Sequence, residues 1–258
     1  MKQSFLNMKV TIITVVYNNS TTIQNAIESV LSQQNIDLEY IVIDGASTDN
    51  TLNTIKKFTG HIHKIVSEPD EGIYDAMNKG IRLASGDVIG ILNSDDLYYS
   101  PHILEKVCDI FKKHPTVELI YGDLVYVSFN DPTKIIRHWR STPYYKSFFE
   151  NGEVPPHPSV FVRREVYDKV GLYKKNYRFA ADYEFLLRSM KQKKVQSVYI
   201  PHIMVRMRLG GATNRSLKNI FTGNQEIRKA WHENNLTPPL RLWVFRFIKK
   251  FLQFFIQI

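Results

Sequence analysis

Short apolar runs that each end in polar residues constrain the first part of the chain more than any other feature. Val10 to Val16 is continuous and β-branched, as a strand buried on both faces should be. Tyr40 to Ile43 repeats the pattern and stops at Asp44-Gly45, His63 to Val66 is a shorter run, and Val88 to Leu92 leads into Asn93-Ser94-Asp95-Asp96. Between these runs the spacing becomes helical. Ile23, Ala26, Ile27, Val30 and Leu31 follow the capping residues Ser20-Thr21-Thr22; Leu52, Ile55 and Phe58 follow Asp49; Ala76, Met77, Gly80 and Leu83 share a face within Ile73 to Ala84. Strand and helix alternating at this interval predict an α/β fold, a parallel sheet with helices on both faces. Ligands of such sheets bind beyond the carboxyl ends of the strands. Tyr17-Asn18, Asp44-Gly45 and Asp95-Asp96 all fall on that edge.

The second half is less regular. Pro101 opens a helix to about Lys113. Leu119 to Gly122 and Leu124 to Ser128 read as separate strands. Pro155-Pro156-His157-Pro158 resists helix and enters a strand at Ser159 to Val162. Ala180 to Lys191 reads as a helix with Asp182 in its first turn, Gln196 to Ile200 as a strand, and Arg208 to Asn214 as a flexible glycine-containing loop. At the C-terminus Val244, Phe247, Ile248, Phe251, Leu252 and Phe255 form one helical stripe, with Arg246, Lys249, Lys250, Gln253 and Gln257 opposite. A basic amphipathic helix with aromatics reads as an interfacial membrane helix, or as a face docked on the rest of the chain or on a second copy. The expected division is a domain over residues 8–236 and this helix over 237–258.

Composition narrows the alternatives. The 258 residues, 43% hydrophobic and 23% charged, suffice for one large α/β domain without long disorder. Cys108 is the single cysteine, so no internal disulfide forms; it sits in the apolar run Ile103-Leu104-Val107-Cys108-Phe111 as a small core residue. The Val10 to Val16 run is too short for a signal peptide, and no stretch of about 18 apolar residues suggests a membrane span. A cytoplasmic protein, peripheral at the inner face of the cell membrane, is expected. The net charge of +9 is uneven: acids gather at Glu68, Asp70, Glu71, Asp75, Asp95 and Asp96, whereas residues 241–258 hold basic residues and no acid. With basic residues placed in an apolar helix and no recognised motif, nucleic-acid binding is disfavoured.

Asp95-Asp96 carries the most specific chemistry. Adjacent carboxylates after a buried strand repel one another and lose hydration unless a cation or hydrogen bonds compensate. Mn²⁺ or Mg²⁺ favours few carboxylates together with phosphate oxygens and water, so the pair suits a metal–diphosphate complex. The alternative is a solvated turn that caps the next helix.

Four ordered motifs extend this reading: Val10-Thr-Ile-Ile-Thr-Val-Val-Tyr-Asn18, Ile41-Val-Ile-Asp-Gly-Ala-Ser-Thr-Asp49, Gly72-Ile-Tyr-Asp-Ala-Met-Asn-Lys-Gly80 and Leu92-Asn-Ser-Asp-Asp96. Together they resemble family 2 glycosyltransferases of the GT-A fold, over roughly residues 8 to 210. The resemblance implies a Rossmann-like GT-A domain with a mixed, mostly parallel sheet flanked by helices. It implies inverting transfer from a nucleotide-sugar donor, UDP-linked by preference, to a hydroxyl of a glycan or lipid-linked acceptor in cell-surface polysaccharide or glycolipid assembly.

Residue by residue, the resemblance gives Asp44 the nucleotide base, with closure of an Asx turn as the alternative. Thr14, Tyr17 and Asn18 would line the same pocket. Asp95 would lie near the ribose and Asp96 would bind the metal, while Asp75, Asn78 and Arg82 would flank the donor. His202 is a candidate to complete the metal shell, and His157 to contact donor or acceptor; a structural role is the alternative for each. Arg206, Arg208 and the Gly210-Gly211 loop are candidates to close over the phosphates. In Ala180-Ala-Asp-Tyr-Glu-Phe-Leu-Leu-Arg188 the family's Glu-Asp pair is reduced to Asp182 after Ala181. Asp182 takes the general-base role, with Glu184 as runner-up. A metal-bound diphosphate leaves without a protein acid, unlike the leaving group of a glycoside hydrolase.

Two other readings stand beside this one. A nucleotidyltransferase would need a glycine-rich phosphate loop that Tyr17-Asn-Asn-Ser20 does not offer. A nucleotide-sugar-binding protein without turnover would have little use for all four of Asp44, Asp95, Asp96 and Asp182. Self-association is left open.

Overall fold

The computed structural model describes residues 8–210 and 217–252. The first half follows the alternation in the sequence: β1 (Lys9–Val16), α1 (Ile23–Leu31), β2 (Asp37–Asp44), α2 (Thr51–Lys56), β3 (Lys64–Ser67), α3 (Ile73–Leu83) and β4 (Val88–Ile91). The second half adds β5 (Asp96–Tyr98), α4 (Ile103–Lys113), β6 (Leu119–Val127), β7 (Ile135–Trp139), β8 (Val160–Arg163), α5 (Arg164–Val170), α6 (Ala181–Leu186), β9 (Ser197–Arg208), α7 (Leu217–Glu233) and α8 (Leu240–Leu252).

The strands form one mixed sheet in the order β3-β2-β1-β4-β8-β6-β9-β5, with β7 paired to β6. β3, β2, β1 and β4 are mutually parallel. β8 runs antiparallel to both β4 and β6, so β6 and its parallel neighbour β9 share the direction of the first four strands. Successive β1 side chains point to opposite faces, as a strand requires. Val10 and Ile12 pack under α1 and α4, whereas Ile13 and Val15 pack under α3 and α6. Cys108 is buried in the first of these layers, as its apolar context implied.

The departures from expectation have local causes. β6 is one strand where two were expected, because a register irregularity at Gly122 breaks the periodicity without breaking the pairing. β9 continues through Arg208 although the sequence strand ended at Ile200. Pro201 cannot donate to a ladder, and the register jumps past it: Tyr121 pairs with Tyr199 and Asp123 with Ile203, leaving Pro201 in a bulge. Thr22 precedes α1 but does not cap it with its side chain; its hydroxyl goes to the Ser94 carbonyl instead. The proline-rich segment does hold one 3₁₀ turn, His157–Ser159.

The C-terminal helix is docked. Leu242 is fully buried and Trp243 packs against the same core, while Lys249 bonds Glu153. The approach is close at Gly152, whose φ is +71° and where a Cβ would lie 2.7 Å from the Arg246 backbone nitrogen. Only glycine adopts that conformation cheaply and leaves room for the helix. The expected apolar stripe therefore faces outward, with Val244, Phe247 and Phe251 at 58%, 76% and 58% exposure. The basic residues Arg246 and Lys249 turn toward the protein. Phe255, Gln253 and Gln257 of the expected stripe pattern lie outside the described residues.

Candidate active site

The carboxyl ends of β1, β2 and β4 bring the expected polar clusters together. Asp44 ends β2 fully buried, and its Oδ2 accepts from the Ser67 hydroxyl at 2.6 Å and the Ser47 amide at 3.1 Å. It closes a turn, and that turn also fixes the carboxylate at the sheet edge. Gly45 beside it allows close approach: a side chain there would strike the Asp70 carboxylate and touch the Tyr17 ring. Tyr17 is 64% exposed over this hollow. Asn18 adopts a left-handed φ of 47°, which asparagine tolerates. Its Oδ1 accepts from the Thr48 amide at 2.8 Å and its own amide donates to the Ser47 hydroxyl at 2.8 Å, lacing the β1–α1 and β2–α2 loops together. Thr14 departs from expectation. It is fully buried, and its hydroxyl accepts from Tyr40 at 3.1 Å in the core under α1, so its side chain does not line the pocket.

The aspartate loop after β4 is braced from several sides. The Ser94 carbonyl accepts from Thr22 at 2.8 Å, its hydroxyl accepts from Asn19 at 2.9 Å, and the Asp95 carbonyl accepts from Arg208 at 3.1 Å. Asp95 is half-buried and Asp96 fully buried. Asn93 donates to Asp96 Oδ2 at 3.0 Å, but Asp96 Oδ1 and Asn93 Oδ1 are buried acceptors without a hydrogen-bond partner. Burial first, and the Asp95 charge second, push the Asp96 carboxyl well above the usual carboxylate range. Two unsatisfied hard oxygens beside a crowded carboxylate pair fit a divalent cation. Among the described residues no group of three or more His, Cys, Asp or Glu could hold a metal by itself. A cation here would draw its remaining ligands from diphosphate and water.

His202 is not brought to this loop. Asp96 pairs with Met207 on β9, so His202 lies five residues back along the strand, on the order of 15 Å away at about 3.3 Å per residue. Its Nε2 is instead 3.2 Å from Lys106 Nζ. Nor do the arginines of β9 form a lid. Arg208 is buried behind the Asp95 carbonyl, and Arg206 stacks on Tyr99 with its guanidinium 4.5 Å from the ring centroid. Of the Gly210-Gly211 loop, Gly211 lies outside the described residues.

Across the edge, α6 presents Asp182 in its first turn. The Tyr74 hydroxyl, from the first turn of α3, donates to Asp182 Oδ1 at 3.2 Å. Burial and the Asp182 charge push the Tyr74 phenol far up, so it remains a donor. The loop entering α6 is held by Glu226 of α7, whose carboxylate accepts from the amides of Arg178, Phe179 and Ala180 at 2.7, 2.8 and 2.9 Å. Glu184 is removed from contention as the base. It is fully buried and engaged by Arg188 at 2.9 Å, Lys174 at 3.0 Å and Asn234 at 3.0 Å.

Of the remaining residues expected to flank the donor, Asp75 and Asn78 are bonded within the protein and Arg82 is exposed. Asp75 caps the Glu71 amide at 3.2 Å and lies 3.4 Å from Lys175. Asn78 spends both ends of its amide on the Tyr173 backbone, at 2.8 and 3.0 Å. Arg82 is exposed in the last turn of α3, roughly 13 Å along the helix from the Ile73 end that meets Asp182. His157 bonds the Tyr173 hydroxyl at 3.0 Å, and its burial lowers the imidazole pKa against the opposing pull of Asp182.

Sequence reasoning missed Asn19, Thr22, Asn93, Ser94, Tyr74 and Glu226. All but Glu226 lie in or beside the quoted motifs, where polar residues at strand ends were the available signal. Glu226 has no local signal, since its partners come from a distant loop.

Comparison with known proteins gives a consistent picture. The profile described as "Glycosyl transferase family 2" matches residues 11–209. A PGL/p-HBAD biosynthesis glycosyltransferase of Mycobacterium bovis is 29% identical over 209 residues, covering 79% of this chain and 78% of that protein. Residues 1–349 of S. aureus TarS, in complex with UDP-GlcNAc, superpose with a TM-score of 0.67 at 14% identity, covering 92% of this chain and 69% of that one. Of a longer TarS structure this chain spans 44%. The mannosyltransferase PcManGT from Pyrobaculum calidifontis, in complex with GDP-Man and Mn²⁺, gives 0.63 at 16% identity, covering 95% of this chain and 70% of that one. The shared fold is GT-A.

Proposed function

The chain belongs to glycosyl transferase family 2 and is a glycosyltransferase, and we propose that it carries out inverting transfer from a UDP-sugar to a hydroxyl of a glycan or lipid-linked acceptor in cell-surface polysaccharide or glycolipid assembly. The observation that carries this reading is the composition of one sheet edge. It holds the anchored Asp44, an oxygen-rich aspartate loop, and a separate carboxylate, Asp182, supported by Tyr74. Asp44 accepts the imide N–H of the base, beneath Tyr17. Asp95 and Asp96 would hold Mn²⁺ or Mg²⁺, which when bound would neutralise charge on the departing diphosphate. Asp182 takes the proton of the acceptor hydroxyl as its oxygen attacks the anomeric carbon and the bond to diphosphate breaks. Attack from the face opposite the leaving group inverts the configuration. The mycobacterial relative supports the glycolipid setting, the ligands of TarS and PcManGT support a nucleotide-sugar donor, and the Mn²⁺ of PcManGT supports a metal.

Calorimetric titration of UDP, GDP and dTDP, each with and without Mn²⁺, tests the reading. UDP is expected to bind with metal dependence, and Asp44→Ala to weaken it by at least tenfold, the loss of one charge-assisted bond of about 1.5–3 kcal/mol. Failure of all three nucleotides to bind folded protein would overturn it.

We also propose that the exposed stripe of α8 rests on an anionic membrane. Among the described residues no helix is long and apolar enough to cross one. Phe247 and Phe251 point outward beside the exposed Arg241, and each aromatic transferred from water contributes about 1.5–3 kcal/mol. Phe247→Ser with Phe251→Ser is expected to reduce co-sedimentation with phosphatidylglycerol vesicles more than tenfold. Deleting the helix is a poorer test, since Leu242 belongs to the core. Unchanged sedimentation would sink the membrane assignment.

A further inference from the structure

Where β6 and β9 run past the edge of the first four strands they border a cleft of about 340 Å³, whose lining includes Tyr99, Asp123, His138, Arg140 and His202. Leu124 and Tyr126 pack on the α4 side of the sheet, so Asp123 faces the α6 side, as Tyr121 does. Tyr121 pairs with Val160 on β8, and the Ser159 hydroxyl donates to the Gly122 carbonyl at 2.8 Å. The cleft therefore adjoins the 3₁₀ turn His157–Ser159, where the His157 imidazole feels the Asp182 charge. It shares a face and an edge with Asp182. It also stands two strand spacings, on the order of 10 Å, from the aspartate loop after β4.

Polar groups around this cleft are left short of partners. Both ring nitrogens of His138, together with Ser141 Oγ and Thr142 Oγ1, are buried without a hydrogen bond. Asp123 is buried too. Its Oδ1 accepts from the Ser141 amide at 2.7 Å and the Tyr199 hydroxyl at 2.9 Å. Its Oδ2 lies 3.4 Å from His138 Nε2, in a geometry that makes no hydrogen bond. Such groups are costly to bury unless something completes them.

The chemistry of the lining selects the occupant. An acyl chain would leave these groups unpaired in a drier setting. An anion would meet the Asp123 carboxylate. Among the described residues no three metal-ligating side chains converge here. A sugar ring brings hydroxyls that donate and accept at once, and an apolar face that packs on the half-buried Tyr99. A hydroxyl seated at Asp123 would donate to Oδ2 and accept from His138 Nε2, in the tautomer that turns its proton toward the carboxylate. Arg140, exposed at the rim, adds further donors.

We infer that this cleft holds a neutral sugar residue of the acceptor, further along the glycan from the residue that receives the transferred sugar. This rests on the reading of the adjoining edge as the site of transfer. The acceptor is thus an oligosaccharide, free or carried on a lipid. A single sugar would occupy only the place beside Asp182.

An array of immobilised neutral mono- to tetrasaccharides tests this with the full chain, with and without UDP and Mn²⁺, while UDP affinity is measured on the same preparations. Wild type is expected to be retained by longer glycans and not by the single sugars that compose them. Asp123→Asn is expected to weaken that retention at least about tenfold, the loss of a hydrogen bond to a charged group, and Arg140→Ala several-fold, with UDP affinity unchanged in both. Asp123 also holds the Ser141 amide and the Tyr199 hydroxyl, so Arg140→Ala carries the test if Asp123→Asn does not fold. Equal retention by single sugars and longer glycans overturns the inference. So does retention by no glycan, or wild-type retention of both variants, either of which leaves water as the partner of these groups. Glycan retention without UDP binding would support the cleft and count against the donor reading alone.

Discussion

Asp182→Asn is expected to reduce the rate of sugar transfer by at least about a hundredfold, the lower end of what a positioned base contributes, while UDP binds within about threefold of wild type. The substitution is nearly isosteric. The amide oxygen can still accept from Tyr74, whose hydroxyl donates at 3.2 Å in the native site, so the first turn of α6 should keep its place. What is lost is the capacity to take a proton from the acceptor. The proposed donor pocket at Asp44 and the aspartate loop belongs to other elements and should not register the change. The decisive measurements are kcat with a competent acceptor and UDP affinity by calorimetry. Parallel loss of both would show that Asp182 holds the architecture and that the base lies elsewhere.

Asp96→Asn should abolish metal-dependent nucleotide binding without harming the metal-free fold. Asp96 is fully buried, one oxygen has no partner, and Asp95 crowds it with like charge. Without a cation this arrangement opposes folding, and replacing the carboxyl with an amide relieves the repulsion. The wild-type protein should therefore gain stability from Mn²⁺ and UDP together, about 2.7 kcal/mol at a hundredfold excess over Kd, which is roughly 5–11 °C in Tm for a domain of this size. The variant should melt no lower than wild type in chelator and gain nothing from the ligands. A variant that still gains the full increment would shift the metal to Asp95 alone. Thermal melts with chelator, Mn²⁺, UDP and both distinguish these outcomes.

The contrast between what the residues announced and what they concealed follows from the range of the forces involved. β1 to β4 were readable because burial on both faces writes a continuous apolar run into each strand, and the polar residues that close those runs mark the edge directly. Asp44, Asp95, Asp96 and Asp182 all arrive where strand and helix boundaries put them. Thr14, two positions before the end of β1, points to whichever face parity dictates, and here parity sends it to Tyr40. Arg82 and His202 were misjudged because each lies on an element that reaches the site with its other end. Asn78 looked like a ligand residue because a buried amide seen in isolation gives no hint that a loop 95 residues away will satisfy it. The apolar stripe of the C-terminal helix reads as a membrane face or else as a docking face, and the fold docks the other side, the one that carries Arg246. That choice depends on Leu242 and on the opening at Gly152, neither of which a helical wheel can weigh.

The bracing of the site has a consequence for the order in which it can come into being. The carbonyl of Asp95 is held by Arg208, 113 residues later; Asp182 is met by Tyr74, 108 residues earlier; and the loop entering α6 waits for Glu226. Each of these closures joins distant parts of the chain and must follow the local pairing of β1, β2 and β4. During synthesis from the N-terminus, the strands that carry Asp44 and the aspartate pair emerge well before the elements that fasten them. The nascent half-sheet thus carries its acidic edge unfinished. Competence to bind donor and to deprotonate an acceptor should appear together, late, once α7 has left the ribosome.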